Sequence, residues 1–159
     1  MIIDNELLFA DGTWAPTALG DNISTNVWDS GPLSGTPTAN AGRDLGLGEP
    51  LWLVVTVKVA VASVGAATVD FRLRTDSAAN LTTAPVDLVA SGAIAKATLV
   101  AGYQIRLRFP SIATQAYKRY LGCNANIGTA TLTAGAFHAA VVKDVQSNVR
   151  YAGAFGLDA

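Results

Sequence analysis

Two stretches of this chain alternate apolar and polar residues with a period of two, and that period decides its structural class. In Val69-Asp-Phe-Arg-Leu-Arg74, Val69, Phe71 and Leu73 fall on one side and Asp70, Arg72 and Arg74 on the other. In Tyr103-Gln-Ile-Arg-Leu-Arg-Phe109 the apolar set is Tyr103, Ile105, Leu107 and Phe109, and the polar set is Gln104, Arg106 and Arg108. Successive strand side chains point to opposite faces, so each stretch predicts a strand with one buried and one wet face, the antiparallel pattern. Residues 51–58 are apolar on both faces near their start, which predicts a central strand covered on both sides. Further strands are predicted near 87–91, 119–126 and 137–143. Turn signals separate them: Asp76-Ser77, Asn80, Ala84-Pro85, Gly102, Phe109-Pro110, Gly128 and Gly135. Residues 93–101 have the composition of a short helix, but they follow Ser91-Gly92 and run into Gly102. Many short strands between turns give an all-β fold, a two-sheet antiparallel sandwich that is jelly-roll-like.

A chain of 159 residues suits one domain, and folding at this size buries roughly 68–70% of the extended surface without help from disulfides or metals. The expected organisation is a single jelly-roll-like domain over 1–144, including an N-terminal arm (1–13) and a long loop (24–50), followed by a C-terminal tail or arm over 145–159. Residues 24–50 are dense in Gly, Pro, Ser, Asn and Thr, with room for a short strand at 26–29. A loop of that length is either functional or a plain crossover between two sheets. One internal echo exists: Ala97-Thr-Leu-Val-Ala-Gly102 and Ala130-Thr-Leu-Thr-Ala-Gly135 differ at one position. The pair reads as one turn used twice, with Gly supplying a backbone angle that other residues resist.

Net charge is −1, so no global field favours nucleic acid or an acidic membrane. The lone Cys123 has no partner for an internal disulfide, and Met1-Ile-Ile-Asp-Asn-Glu6 lacks the basic region of a signal peptide. The longest apolar run, 51–67, is too short and is interrupted by Lys58, Ser63 and Gly65, so no membrane span is expected. These features suggest a cytoplasmic protein, or one in a particle assembled there.

Catalytic constellations are not evident. His138 is the one histidine, and it sits in a predicted strand with no motif around it. One Cys and one His do not build a zinc site of the usual kind, and no calcium loop of the Asp-x-Asp-x-Asp-Gly type appears. The two glutamates, Glu6 and Glu49, give little basis for glycoside chemistry. Gly46-Leu-Gly48 lacks the helix and the Lys-Ser/Thr pair of a phosphate loop. The expectation is a protein that is not an enzyme and has no cofactor and no metal.

Contact residues are easier to nominate. Charged residues make up 14% of the chain, against a usual value of about 25%. That fits a small sandwich with Ala-, Thr- and Ser-rich surfaces, or a subunit that hides surface against partners. Arg72, Arg74, Arg106 and Arg108 form two basic stripes, which read either as solvated faces balanced by acids or as a docking surface for an acidic protein. No aromatics interleave with them, which argues against nucleic acid. Trp14 and Trp28 flank loops and are placed at an interface, whereas Trp52 is placed in the core. At the N-terminus Ile3, Leu7 and Phe9, and at the C-terminus Tyr151 and Phe155, give both arms apolar anchors. They dock either on their own domain or on a neighbouring subunit.

The stretch Arg43-Asp-Leu-Gly-Leu-Gly-Glu-Pro-Leu-Trp-Leu-Val-Val55 resembles the cement, or capsid-stabilising decoration, proteins of tailed bacteriophages, of the jelly-roll kind carried by a Bordetella phage. Met1-Ile-Ile-Asp-Asn-Glu-Leu-Leu-Phe-Ala-Asp11, Leu99-Val-Ala-Gly-Tyr103, Arg119-Tyr-Leu121 and Thr133 through Gln146 agree in the same order. The Ala-rich residues 59–67 depart from the pattern. The resemblance implies a virion protein on the outer surface of the capsid that binds the major capsid protein. It would bridge neighbouring capsomers and resist internal pressure. It also implies a symmetric oligomer, a homodimer ahead of a trimer. In that setting Arg43, Asp44 and Glu49 either fix the turn before the strand or touch a neighbour. The alternative is a carbohydrate- or receptor-binding β-sandwich on a virion surface.

Overall fold

The computed structural model describes residues 7–31, 50–110 and 117–143, and within them the period-two stretches pair as strands. Ten strands result: β1 (Leu8–Trp14), β2 (Gly20–Ile23), β3 (Trp28–Asp29), β4 (Trp52–Ala62), β5 (Thr68–Asp76), β6 (Val86–Ala90), β7 (Ile94–Ala95), β8 (Gln104–Arg108), β9 (Tyr120–Gly128) and β10 (Ala134–Val142). All pair antiparallel. One sheet has the order β1-β10-β4-β8. The other has the order β2-β9-β5-β6, with β3 also on β9 and β7 also on β5. The chain passes back and forth between the sheets, and this strand order is that of a jelly roll.

Apolar residues of the two inner faces fill the space between the sheets. On β5, Val69, Phe71 and Leu73 are fully buried, as the alternation requires. β4 lies between β10 and β8, as its apolar sequence predicts, and buries Leu53, Val55 and Val57 inward. An aromatic cluster ties the layers together. Phe71 of one sheet meets Phe137 of the other edge-on at 4.9 Å, and Phe137 meets Trp14 at 5.9 Å. Edge-to-face pairs of this kind add about 0.5–1.5 kcal/mol beyond burial.

Several sequence expectations change. Part of the predicted N-terminal arm is the edge strand β1, and its Phe9 and Trp14 are core residues at 0% and 5% exposure. Trp28 is also core. Trp52, expected inside, is half-buried on the outer face, opposite Arg108 and Val142. Residues 93–101, whose flanking glycines argued against a helix, hold β7 and a turn. Tyr103 stands outside its predicted strand and is exposed. The predicted loop at 24–50 contains β3 in its described part, inside the 26–29 window allowed for a short strand; residues 32–49, and the tail at 145–159, lie outside the described residues.

The sandwich has two unlike ends. Residues 15–19, 63–67, 96–103 and 129–133 meet at one, here called the loop end. Leu7, Gly31, Pro50, Pro110, Tyr117 and Lys143, where the described stretches stop, lie at the opposite end.

Candidate functional site

The outer face of the β2-β9-β5-β6 sheet carries a band of ion pairs that crosses all four strands. Arg74 of β5 is 3% exposed and lies between two acids: Nη1 donates to Asp21 Oδ2 of β2 at 2.7 Å, and Nε donates to Asp87 Oδ1 of β6 at 2.6 Å. Arg72 donates to Asp70 at 2.7 Å and to Asp87 at 3.0 Å. Asn124 and Asn126 of β9 also donate to Asp21, at 2.9 and 2.6 Å. Burial works against the Asp21 charge, but the bonds from Arg74, Asn126 and Asn124 outweigh it and hold the carboxyl down at about 2. The band joins four strands and leaves Arg74 no reach toward a partner. Arg72 and Arg74 are thus balanced by acids rather than arrayed for docking.

Arg106 and Arg108 lie elsewhere. They are exposed on β8, an edge of the other sheet, so the four arginines do not make one patch. Neither forms an ion pair with a described residue; Arg106 Nε donates to Gln104 Oε1 at 3.1 Å. Across this outer face run rows set by register. Val142, Trp52 and Arg108 form one; Leu8, Ala140, Val54 and Arg106 form the next; then come Asp11, His138, Thr56 and Gln104. Val54, Ala140 and Val142 are buried although they face away from the core.

The loop end is the apolar surface. The exposed large hydrophobic side chains among the described residues are Leu19, Val59, Val64, Val100 and Tyr103, and all lie there or on the adjoining end of β4. The four loop-end segments carry one charge, Lys96, and its Nζ donates to Ser63 O at 2.6 Å. Interface cores are depleted in charge in the same way. The echoed segments form part of this end. Each buries its leucine, Leu99 at 0% and Leu132 at 3%, and each lies beside the end of β4. Val61 N donates to Leu99 O, and Thr133 N donates to Ala62 O. The glycines that close them, Gly102 and Gly135, have positive φ of 87° and 147°.

Reactive groups are held quietly. Cys123 is fully buried, and that burial pushes its thiol pKa well up, which suppresses the nucleophilic thiolate. Burial, reinforced by Lys58, moves His138 below its usual value of 6.5, with Asp11 opposing. Among the described residues no group of three or more His, Cys, Asp or Glu is placed to hold a metal.

Of the residues nominated for contact, Phe9, Trp14 and Trp28 are core, and Arg74 is locked in the ionic band. Leu7 is partly buried against the core. Arg106 and Arg108 are exposed as expected. Ile3, Arg43, Asp44, Glu49, Tyr151 and Phe155 lie outside the described residues. Sequence reading missed Leu19, Val59, Val64 and Val100. The available signal was the near absence of charge across four turns that the fold gathers at one end.

No curated protein sequence matches the chain closely enough to count as a relative. A family match covers residues 14–141, from the last residue of β1 into β10, and so takes in nearly the whole sandwich. The chain belongs to the Bbp16 family, whose name points to a Bordetella phage protein.

Proposed function

We propose that this protein is a structural, non-catalytic subunit of a phage virion, without a cofactor, and that it binds the outside of the capsid. There it would bridge neighbouring capsomers of the major capsid protein against internal pressure. Membership of a phage-associated family across nearly the whole sandwich is the observation that carries this reading. The loop end supports it, since it offers an apolar, charge-poor surface. A cement protein is used in many copies, so each contact can be weak while the sum is strong. Assembly as a homodimer fits the same role. A carbohydrate site would call for a tryptophan such as Trp14 or Trp28 exposed beside polar groups, and both are buried.

Mass spectrometry and cryo-electron microscopy of the parent particle test the proposal. A copy number near that of the major capsid protein, with density on the outer surface, is the expected result. Purified virions lacking this chain would sink the idea.

A further inference from the structure

We infer that the open edge of β8 is a docking site for an extended, acidic segment of a partner protein, which adds to the sheet as a fifth strand. β8 pairs with β4 over five consecutive residues with no shift in register, and on its other side no strand among the described residues pairs with it. Bonds flanking the strand fix which of its groups are open: Phe109 N donates to Leu51 O, and Tyr103 O accepts from Val57 N. Odd-numbered residues therefore bond to β4. The N–H and C=O groups of Gln104, Arg106 and Arg108 point off the sheet.

Other edges are less open. β1 has two register shifts along its pairing with β10, and β6 has one along its pairing with β5. Irregularities of that kind blunt an edge. On β2, the Asn22 side chain donates to Ala18 O and Gly20 O and so occupies acceptors of its own segment. Among the described residues, charge is what guards β8. Arg72, Arg74 and Arg119 are each paired with an aspartate, whereas Arg106 and Arg108 have no acidic partner among the described residues.

Those charges select the occupant. A second copy of β8 would set arginines of the two strands against one another on the outer face, and like charges opposite each other oppose pairing. A segment with Asp or Glu at every second residue instead sets its acids beside Arg106 and Arg108. Its intervening residues then turn toward the side of Ile105 and Leu107. Main-chain bonds would supply affinity and the acids selectivity, as in other strand-addition complexes. The inference does not depend on the capsid reading.

The probe is a fluorescent synthetic peptide of alternating Glu and Val, titrated by anisotropy into the full chain at low salt. Binding is expected, with amide shifts in nuclear magnetic resonance spectra at Gln104, Arg106 and Arg108. It should weaken at least tenfold in the Arg106→Glu, Arg108→Glu double variant. The same peptide N-methylated on every amide keeps its charge but loses its main-chain donors, and should also bind at least tenfold more weakly. No binding at millimolar peptide overturns the proposal. Equal binding of the methylated peptide, or of one with Lys in place of Glu, also overturns it. An unchanged melting temperature in the double variant shows that these readings come from the edge and not from unfolding.

Discussion

Arg74 does more than any other single side chain to hold the outer face of its sheet. It spans from β2 to β6, across β9 and its own strand, and its guanidinium bonds two acids at once. A lysine offers one point charge and cannot reproduce that fork. Arg74→Ala leaves Asp21 and Asp87 partly desolvated without their counter-charge. Breaking a fully buried pair costs about 3–5 kcal/mol. Here the acids are 37% and 30% exposed, so a loss of about 2–3 kcal/mol is expected in urea unfolding. The same site sets an acid limit. Asp21 titrates near 2 in the folded protein against an ordinary 3.8. A depressed carboxyl contributes stability that is present above the unfolded value and is lost as pH falls through the folded one. Melting temperature should therefore fall between about pH 4 and pH 2. In Arg74→Met that fall should be shallower, because the largest bond to the Asp21 charge is gone.

At the scale of elements, the loop between β5 and β6 shows how one residue can order a segment. Asp76 is buried, and its carboxylate accepts from the backbone N–H groups of Ala78, Thr83 and Ala84 at 3.0–3.2 Å. Burial opposes its charge, but these bonds hold its pKa below the usual value. Leu81, with φ at +53° and no exposed surface, packs against Gly122 on the outer face of β9. A Cβ on Gly122 would stand 2.6 Å from Leu81 Cδ1. Gly122→Ala forces the buried Leu81 side chain to shift, and overpacking of this kind costs about 1–3 kcal/mol. A thermal melt checks it, and the paired change Gly122→Ala, Leu81→Ala should recover part of the loss. The sequence showed some elements and hid others for physical reasons. β5 and β8 were plain because one face of each is apolar and the other carries arginines. β1 was hidden because shifts in its pairing put Phe9 and Ala10, adjacent in the chain, both in the core, which breaks the period of two. β2 was hidden because Gly-Asp-Asn is turn chemistry. It becomes a strand through pairing with β9 and through bonds to Asp21, which are long-range contacts. The apolar loop end was missed for the same reason: Leu19, Val64 and Val100 are far apart in sequence, and only the fold assembles them.

For the whole molecule, the distribution of charge matters more than its total. The ionic band stiffens one face, β8 exposes two cations with no acidic partner among the described residues, and the loop end is nearly uncharged. Exposed apolar groups gathered at one place mark contact surfaces, whereas single scattered ones do not. On the capsid reading the loop end is the natural place to meet a neighbour. Val64, Val100 and Leu19 are 92%, 54% and 55% exposed, so aspartate in their place buries no charge in the isolated subunit. Val64→Asp combined with Leu19→Asp should therefore leave the melting temperature within a few degrees of the parent. On the particle the two carboxylates would be desolvated without partners, at a cost that repeats in every copy. Adding this variant to virions stripped of the native chain should give a bound copy number at least tenfold lower by quantitative mass spectrometry. The Arg106→Glu, Arg108→Glu variant separates the two surfaces in the same assay, because it alters an edge strand and leaves the loop end intact. If the aspartate variant binds like the parent, the loop end faces solvent on the particle, and the contact must be sought on the β8 edge or at the opposite end of the sandwich.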